Sequence, residues 1–164
     1  MQPNCATLRH VERVVLIGTD GSDVAVQAAS AGLALLGSPE RIVVATAIED
    51  VDPALVTGTG FAGGVVSPET MTQLERERVR EGEQVAAATV DALGVDDVET
   101  LVVRGDPGQA LCDLAAELPA SVVIVGSRGR SGITRALLGS VSDHVIRHAP
   151  CPVLVMRADE RGGS

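Results

Sequence analysis

The chain has 164 residues, 45% of them hydrophobic, enough for one domain with a sizeable core and too few for two. Its formal charge of −9 opposes a nucleic-acid or anionic-membrane partner, since both want a basic face. It contains no lysine, so P-loop, protein-kinase and Schiff-base chemistry lack the amine they use, and Phe61 as the sole aromatic rules out stacking bases on rings.

Residues 1–12 read as an N-terminal extension without the apolar run of a signal peptide. Arg13 to Thr19 reads as a buried strand around Val14-Val15-Leu16-Ile17, leading into Asp20-Gly21-Ser22. Ser22 is placed to cap a helix through Ala25, Ala28, Ala29 and Leu36 to Gly37, and Ile42 to Ile48 is a second strand. Glu49 to Val66 collects acids, a proline and glycines without periodicity, which predicts a mobile loop. Within it, Gly58-Thr59-Gly60-Phe61-Ala62-Gly63 spells G-x-G-x-x-G. A dinucleotide fingerprint needs a strand directly before it and a helix opening through it, so the reading is a flexible loop, with a lid over a nucleotide as its alternative.

Ser67-Pro68 offers an N-cap and an N1 proline for a helix from about Glu69 to Leu93, closed by Gly94. Its first half, Gln73 to Glu83, is charged on most faces and belongs in water. Val98 to Arg104 is the third strand. Asp106-Pro107-Gly108-Gln109 resembles a capping box, opening a helix with Leu111, Leu114 and Leu118 at helical spacing and ended by Pro119. Ser121 to Val125 is the fourth strand, followed by Gly126-Ser127-Arg128-Gly129, nine residues, Gly139-Ser140 and a helix from Val141 to His148. Pro150-Cys151-Pro152 separates that helix from a short fifth strand, Val153 to Met156, and residues 158–164 read as a tail. The order βαβαβαβαβ predicts one α/β domain over 13–157, a parallel sheet with helices on both faces.

Glycines directly after an apolar strand let backbone approach a ligand closely, and N–H groups at a helix start attract anions. From Gly126 to His148 four arginines (Arg128, Arg130, Arg135, Arg147) meet one acid, Asp143, so this stretch is positive in an acidic chain. In an open parallel sheet the ligand sits beyond the carboxyl ends of the strands, where strand order reverses. With the first and fourth strands adjacent, Asp20 faces the glycine motif and can accept from a ribose hydroxyl or adenine amine; its rival role is a turn aspartate bonding its own backbone. His144 and His148 are spaced i, i+4 near Cys151, but without a third ligand they read as complements to the helix dipole rather than as a metal site. Cys112 reads as a small core residue. Three scattered cysteines, Cys5, Cys112 and Cys151, fit reduced thiols in the cytoplasm.

The spacing Gly126-x2-Gly129-x9-Gly139-Ser140, a first strand ending in Asp20-Gly21-Ser22, and Pro152-Val153-Leu154-Val155 resemble the universal stress protein family over about Arg13 to Arg157. The resemblance implies a three-layer, five-stranded parallel sheet in order 3-2-1-4-5, of the adenine nucleotide alpha hydrolase-like kind, and ATP, with or without Mg2+, as ligand. Gly18, Thr19 and Asp20 would then contact adenosine and Ala47 would lie against adenine. Gly126 and Gly129, with Val125, Arg128 and Arg130 beside them, would wrap ribose and phosphates. Gly139, Ser140 and Val141 would present N–H groups, with the Ser140 hydroxyl added. Gly18 stands where many relatives carry a bulkier residue or proline, and Ala47 is smaller than the usual valine, which predicts a loose adenine pocket. The resemblance further implies a homodimer through Val153 to Met156, and a cytoplasmic stress-response protein whose nucleotide occupancy biases conformation or partner binding. A slow ATPase and a structural dimer module with a vestigial pocket are the alternatives. The sequence assigns no catalytic residue and no protein partner.

Overall fold

A computed structural model describes residues 12–50, 67–127 and 138–157. The G-x-G-x-x-G segment, Cys5, Arg128, Gly129, Arg130 and Arg135 lie outside the described residues, as do both terminal segments.

Five strands, β1 (Val14–Gly18), β2 (Arg41–Ile48), β3 (Val98–Arg104), β4 (Val122–Gly126) and β5 (Val153–Met156), form one sheet in the order β3-β2-β1-β4-β5. Every pairing is parallel, as continuous apolar strands separated by helices require. Alternation along each strand divides the core in two. Val14, Leu16, Val43, Ala45, Val123 and Val125 pack on one side, and Val15, Ile17, Val44 and Ile124 on the other. Burying each of these side chains contributes roughly 1.5–3 kcal/mol for the larger ones.

Two helices cover each side. Ala29 and Leu33 of α1 (Asp23–Leu36) and Ala86 and Val90 of α2 (Pro68–Leu93) join the second cluster. Leu111, Leu114 and Ala115 of α3 (Pro107–Glu117) and Val145 of α4 (Ser140–His148) join the first. The charged first half of α2 is exposed along most of its length, as its sequence predicts. Strand order reverses about β1: β2 and β3 lie to one side, β4 and β5 to the other. That reversal opens a crevice between the ends of β1 and β4.

Side-chain oxygens start three of the four helices among the described residues. Ser22 accepts from the Ala25 N–H, Ser67 from Thr70 and Asp106 from Gln109. The Asp106 box is only half made, because the Gln109 amide donates forward to Asp113 Oδ1, one turn on, rather than back to the cap. No helix among the described residues is long and apolar enough to cross a membrane.

Candidate functional site

The crevice is a cleft of about 350 Å3 beyond the carboxyl ends of the central strands. Nine residues singled out in the sequence line it: Gly18, Thr19 and Asp20 from the end of β1, Ala47 from β2, Val125 and Gly126 from β4, and Gly139, Ser140 and Val141 at the start of α4. Arg128, Gly129 and Arg130 lie outside the described residues. Sequence reasoning passed over five further lining residues, Ala25, Ala45, Pro107, Leu111 and Ser142. Ala45 was legible, since it lies two residues from Ala47 and so on the same face of β2.

The β1 wall is held by backbone and hydroxyl bonds. The Thr19 N–H donates to the Ala45 carbonyl, and the Thr46 hydroxyl donates to the Thr19 carbonyl. Asp20 Oδ1 accepts from both the N–H and the hydroxyl of Ser22, at 3.0 and 2.6 Å, while Ser22 Oγ caps α1. The turn role, the rival reading of Asp20, is therefore real, and it welds the carboxylate to the first turn of a helix. Gly21 must be glycine twice over: its φ is +76°, and a Cβ there would lie 2.9 Å from Val85 Cγ1 of α2.

The opposite wall begins at Ser127. Its carbonyl accepts the Gly139 N–H at 2.9 Å, and its own N–H donates to the Met156 carbonyl on β5. The expectation that Gly139 presents its N–H to a ligand is thus corrected, because that donor closes the loop onto Ser127. Gly139 is the N-cap of α4 at φ −65° and ψ 155°, extended backbone that any residue adopts, and no side chain among the described residues caps the helix. The Ser142 hydroxyl donates to the Gly139 carbonyl. The start of α4 therefore brings uncapped N–H groups and the positive end of a helix dipole to the cleft.

The space left by a small residue at position 18 is filled. A Cβ on Gly18 would lie 2.7 Å from Leu111 Cδ1, so the loose pocket expected at this position is corrected by a side chain from α3. Near the far end of α4 the His144 and His148 rings stack with centroids 4.3 Å apart, and His148 Nδ1 donates to the His144 carbonyl, the end-of-helix role expected of it. Asp143, in the first turn, is held below the usual carboxylate range by its hydrogen bonds to Arg147. Cys112 is buried in the α3 side of the core.

The model of the Universal stress protein family matches residues 12–157. A universal stress protein of Methanocaldococcus jannaschii is 31% identical over 147 residues, which cover 90% of this chain and 83% of that protein. Among solved structures, the hypothetical protein MJ0577 has the same fold with a TM-score of 0.71 at 22% identity, covering 93% of this chain and 99% of that one. A universal stress protein solved in complex with cAMP gives a TM-score of 0.57 at 30% identity, covering 88% of this chain and 97% of the other.

Proposed function

The chain belongs to the universal stress protein family, and from that premise we propose that it binds an adenine nucleotide, ATP above all, in the β1–β4 crevice. Occupancy would bias its conformation or its binding of a partner, in the cytoplasm. The observation that carries this reading is the N-cap of α4. Ser, Thr, Asp and Asn are strongly favoured at such positions, and the three other helices use Ser22, Ser67 and Asp106. At the cleft the cap is Gly139, which leaves first-turn N–H groups for an anion to satisfy.

The rest of the cleft suits the remainder of a nucleotide. Gly18, Ala45, Ala47 and Val125 give it apolar lining, and Thr19 and Asp20 add polar groups. The relative solved with cAMP supports an adenine nucleotide as the ligand class. The edge strand β5, half-buried at all four residues and paired on one side with β4, supports a homodimer formed along that edge. Sedimentation at micromolar concentration should then find dimers; monomers would count against the pairing.

Mass spectrometry of small molecules released on denaturing the purified protein tests the ligand class directly. An adenine nucleotide in stoichiometric amount is the expected finding. A different co-purifying molecule, displaced by no adenine nucleotide, would overturn the reading.

A further inference from the structure

The cleft floor is one row of the sheet. Gly18 pairs with Ala45 on β2 and with Val125 on β4, and all three line the cleft. Above this row sits Leu111, which also lines the cleft. A Cβ at position 18 would lie 2.7 Å from Leu111 Cδ1, 3.4 Å from Leu111 Cδ2 and 3.1 Å from Val125 Cγ1. Leu111 and Gly18 thus interlock, the long side chain occupying what the short one leaves. Leu111 is 4% exposed, packed into the core on every side but the one it turns to the cleft. Its helix is equally fixed: Asp106 caps α3, and Gly108 of α3 packs against the root of the His144 side chain on α4, where an added Cβ would meet His144 Cβ at 2.7 Å.

We propose that Leu111, seated over Gly18, is the residue that selects base size at the adenine end of the cleft, admitting an unsubstituted adenine and excluding a base with a bulky substituent on its buried edge. The inference rests on reading the cleft as an adenine-nucleotide site. Three features place the base at this end. The row Ala45–Gly18–Val125 and Leu111 offer only aliphatic carbon and satisfied backbone, which suits a flat ring and not a phosphate. The anion-attracting groups belong to the start of α4. The described lining residues at this end are aliphatic and carry no aromatic ring, so their grip on a base rests on fit. An apolar pocket discriminates one extra or missing methylene by roughly 10–200-fold.

The test measures dissociation constants by titration calorimetry for ATP, N6-benzyl-ATP, 2-methylthio-ATP and 8-bromo-ATP. The proteins are the wild type, Leu111→Val, Leu111→Ala, Gly18→Ala and the double variant Gly18→Ala/Leu111→Ala, each checked for folding by circular dichroism. Shortening Leu111 is expected to raise the affinity of at least one bulky analogue relative to ATP by about tenfold, the lower end of the size discrimination an apolar pocket delivers. Gly18→Ala, which forces Leu111 into the cleft, is expected to weaken ATP binding by about as much, and the double variant to recover it. Should Leu111→Ala fail to fold, Leu111→Val decides. Unchanged analogue-to-ATP ratios for all three analogues in a folded Leu111 variant overturn the proposal while wild-type ATP binding stands. A wild type that binds none of ATP, AMP and cAMP overturns the adenine-nucleotide reading itself, and this proposal with it.

Discussion

Thr19 Oγ1 lies 3.1 Å from Thr89 Oγ1, joining the turn that ends β1 to the C-terminal part of α2 across 70 residues of sequence. Thr89 is 1% exposed and its hydroxyl proton is committed to the Val85 carbonyl, so Thr19 must be the donor in the pair. Thr19 Oγ1 in turn accepts the Gly21 N–H. The hydrogens therefore run one way, from the Gly21 backbone through both threonines to α2, and they hold the Asp20 turn against that helix.

Removing one member of this chain strands the next. Thr89→Val keeps the shape but leaves the Thr19 hydroxyl without its acceptor, which should cost about 1–3 kcal/mol in urea unfolding. Adenine-nucleotide affinity should fall with it, because the turn that lines the cleft is loosened. Thr89→Ser restores the hydroxyl and should restore the affinity; equal affinities in the valine and serine variants would show that the bond does not serve the site.

Gly139→Asp supplies α4 with the cap it lacks. The backbone at φ −65° accepts the change, and a carboxylate at the helix start should raise stability by roughly 0.3–1 kcal/mol. The same carboxylate takes the N–H groups and repels phosphate, so nucleotide affinity should drop by about tenfold, which is 1.4 kcal/mol. A variant that is more stable yet binds as well as wild type would remove α4 from the site.

Gly108→Ala reports on the seating of α3 against α4. The new methyl would meet His144 Cβ and Cγ at 2.7 and 2.8 Å, the root of a side chain and not its movable end. Overpacking of this kind costs about 1–3 kcal/mol, against a gain of about 1 kcal/mol in helix propensity. Thermal unfolding should show a net loss, relieved only in part by His144→Ala, which removes Cγ and the ring but keeps the Cβ at 2.7 Å.

Burial pushes the thiols of Cys112 and Cys151 above their ordinary range, with Asp113 adding to the effect at Cys112. Both should stay protonated at neutral pH, so iodoacetamide should label neither quickly in the native protein and both promptly in urea. The linkage sign follows. A folded-state value raised above the unfolded one gives a contribution to stability that is present below the ordinary thiol range and is lost as pH rises through the raised value. Stability measured at increasing alkaline pH should fall more slowly in a Cys112→Ala/Cys151→Ala variant than in wild type.

Elements and topology were readable because the signals for them are local. Apolar runs bounded by Gly21, Gly37, Gly94 and Pro119 mark the strands and helices, and the alternation of the two types dictates a parallel sheet. The walls of the cleft were readable for the same reason, since Asp20 and Gly139 each sit where a strand or loop meets a helix. What could not be read depends on which helix lies over which strand. Leu111 has the spacing of a core leucine, and only the packing of α3 across Gly18 puts it in the cleft. The Gly139 N–H is committed through a bond to Ser127, 12 residues earlier, which no local pattern announces. Gln109 had the identity a capping box needs, but Asp113 one turn later competed for its amide and won.

The central claim is that the crevice between Asp20 and Gly139 holds an adenine nucleotide. Titration calorimetry of purified wild-type protein, freed of bound small molecules, against ATP, AMP and cAMP tests it most directly. Saturable binding of one nucleotide per chain, weakened in Gly139→Asp while the fold is kept, is the predicted result. No heat of binding for any of the three at millimolar concentration, from protein shown to be folded, would contradict it.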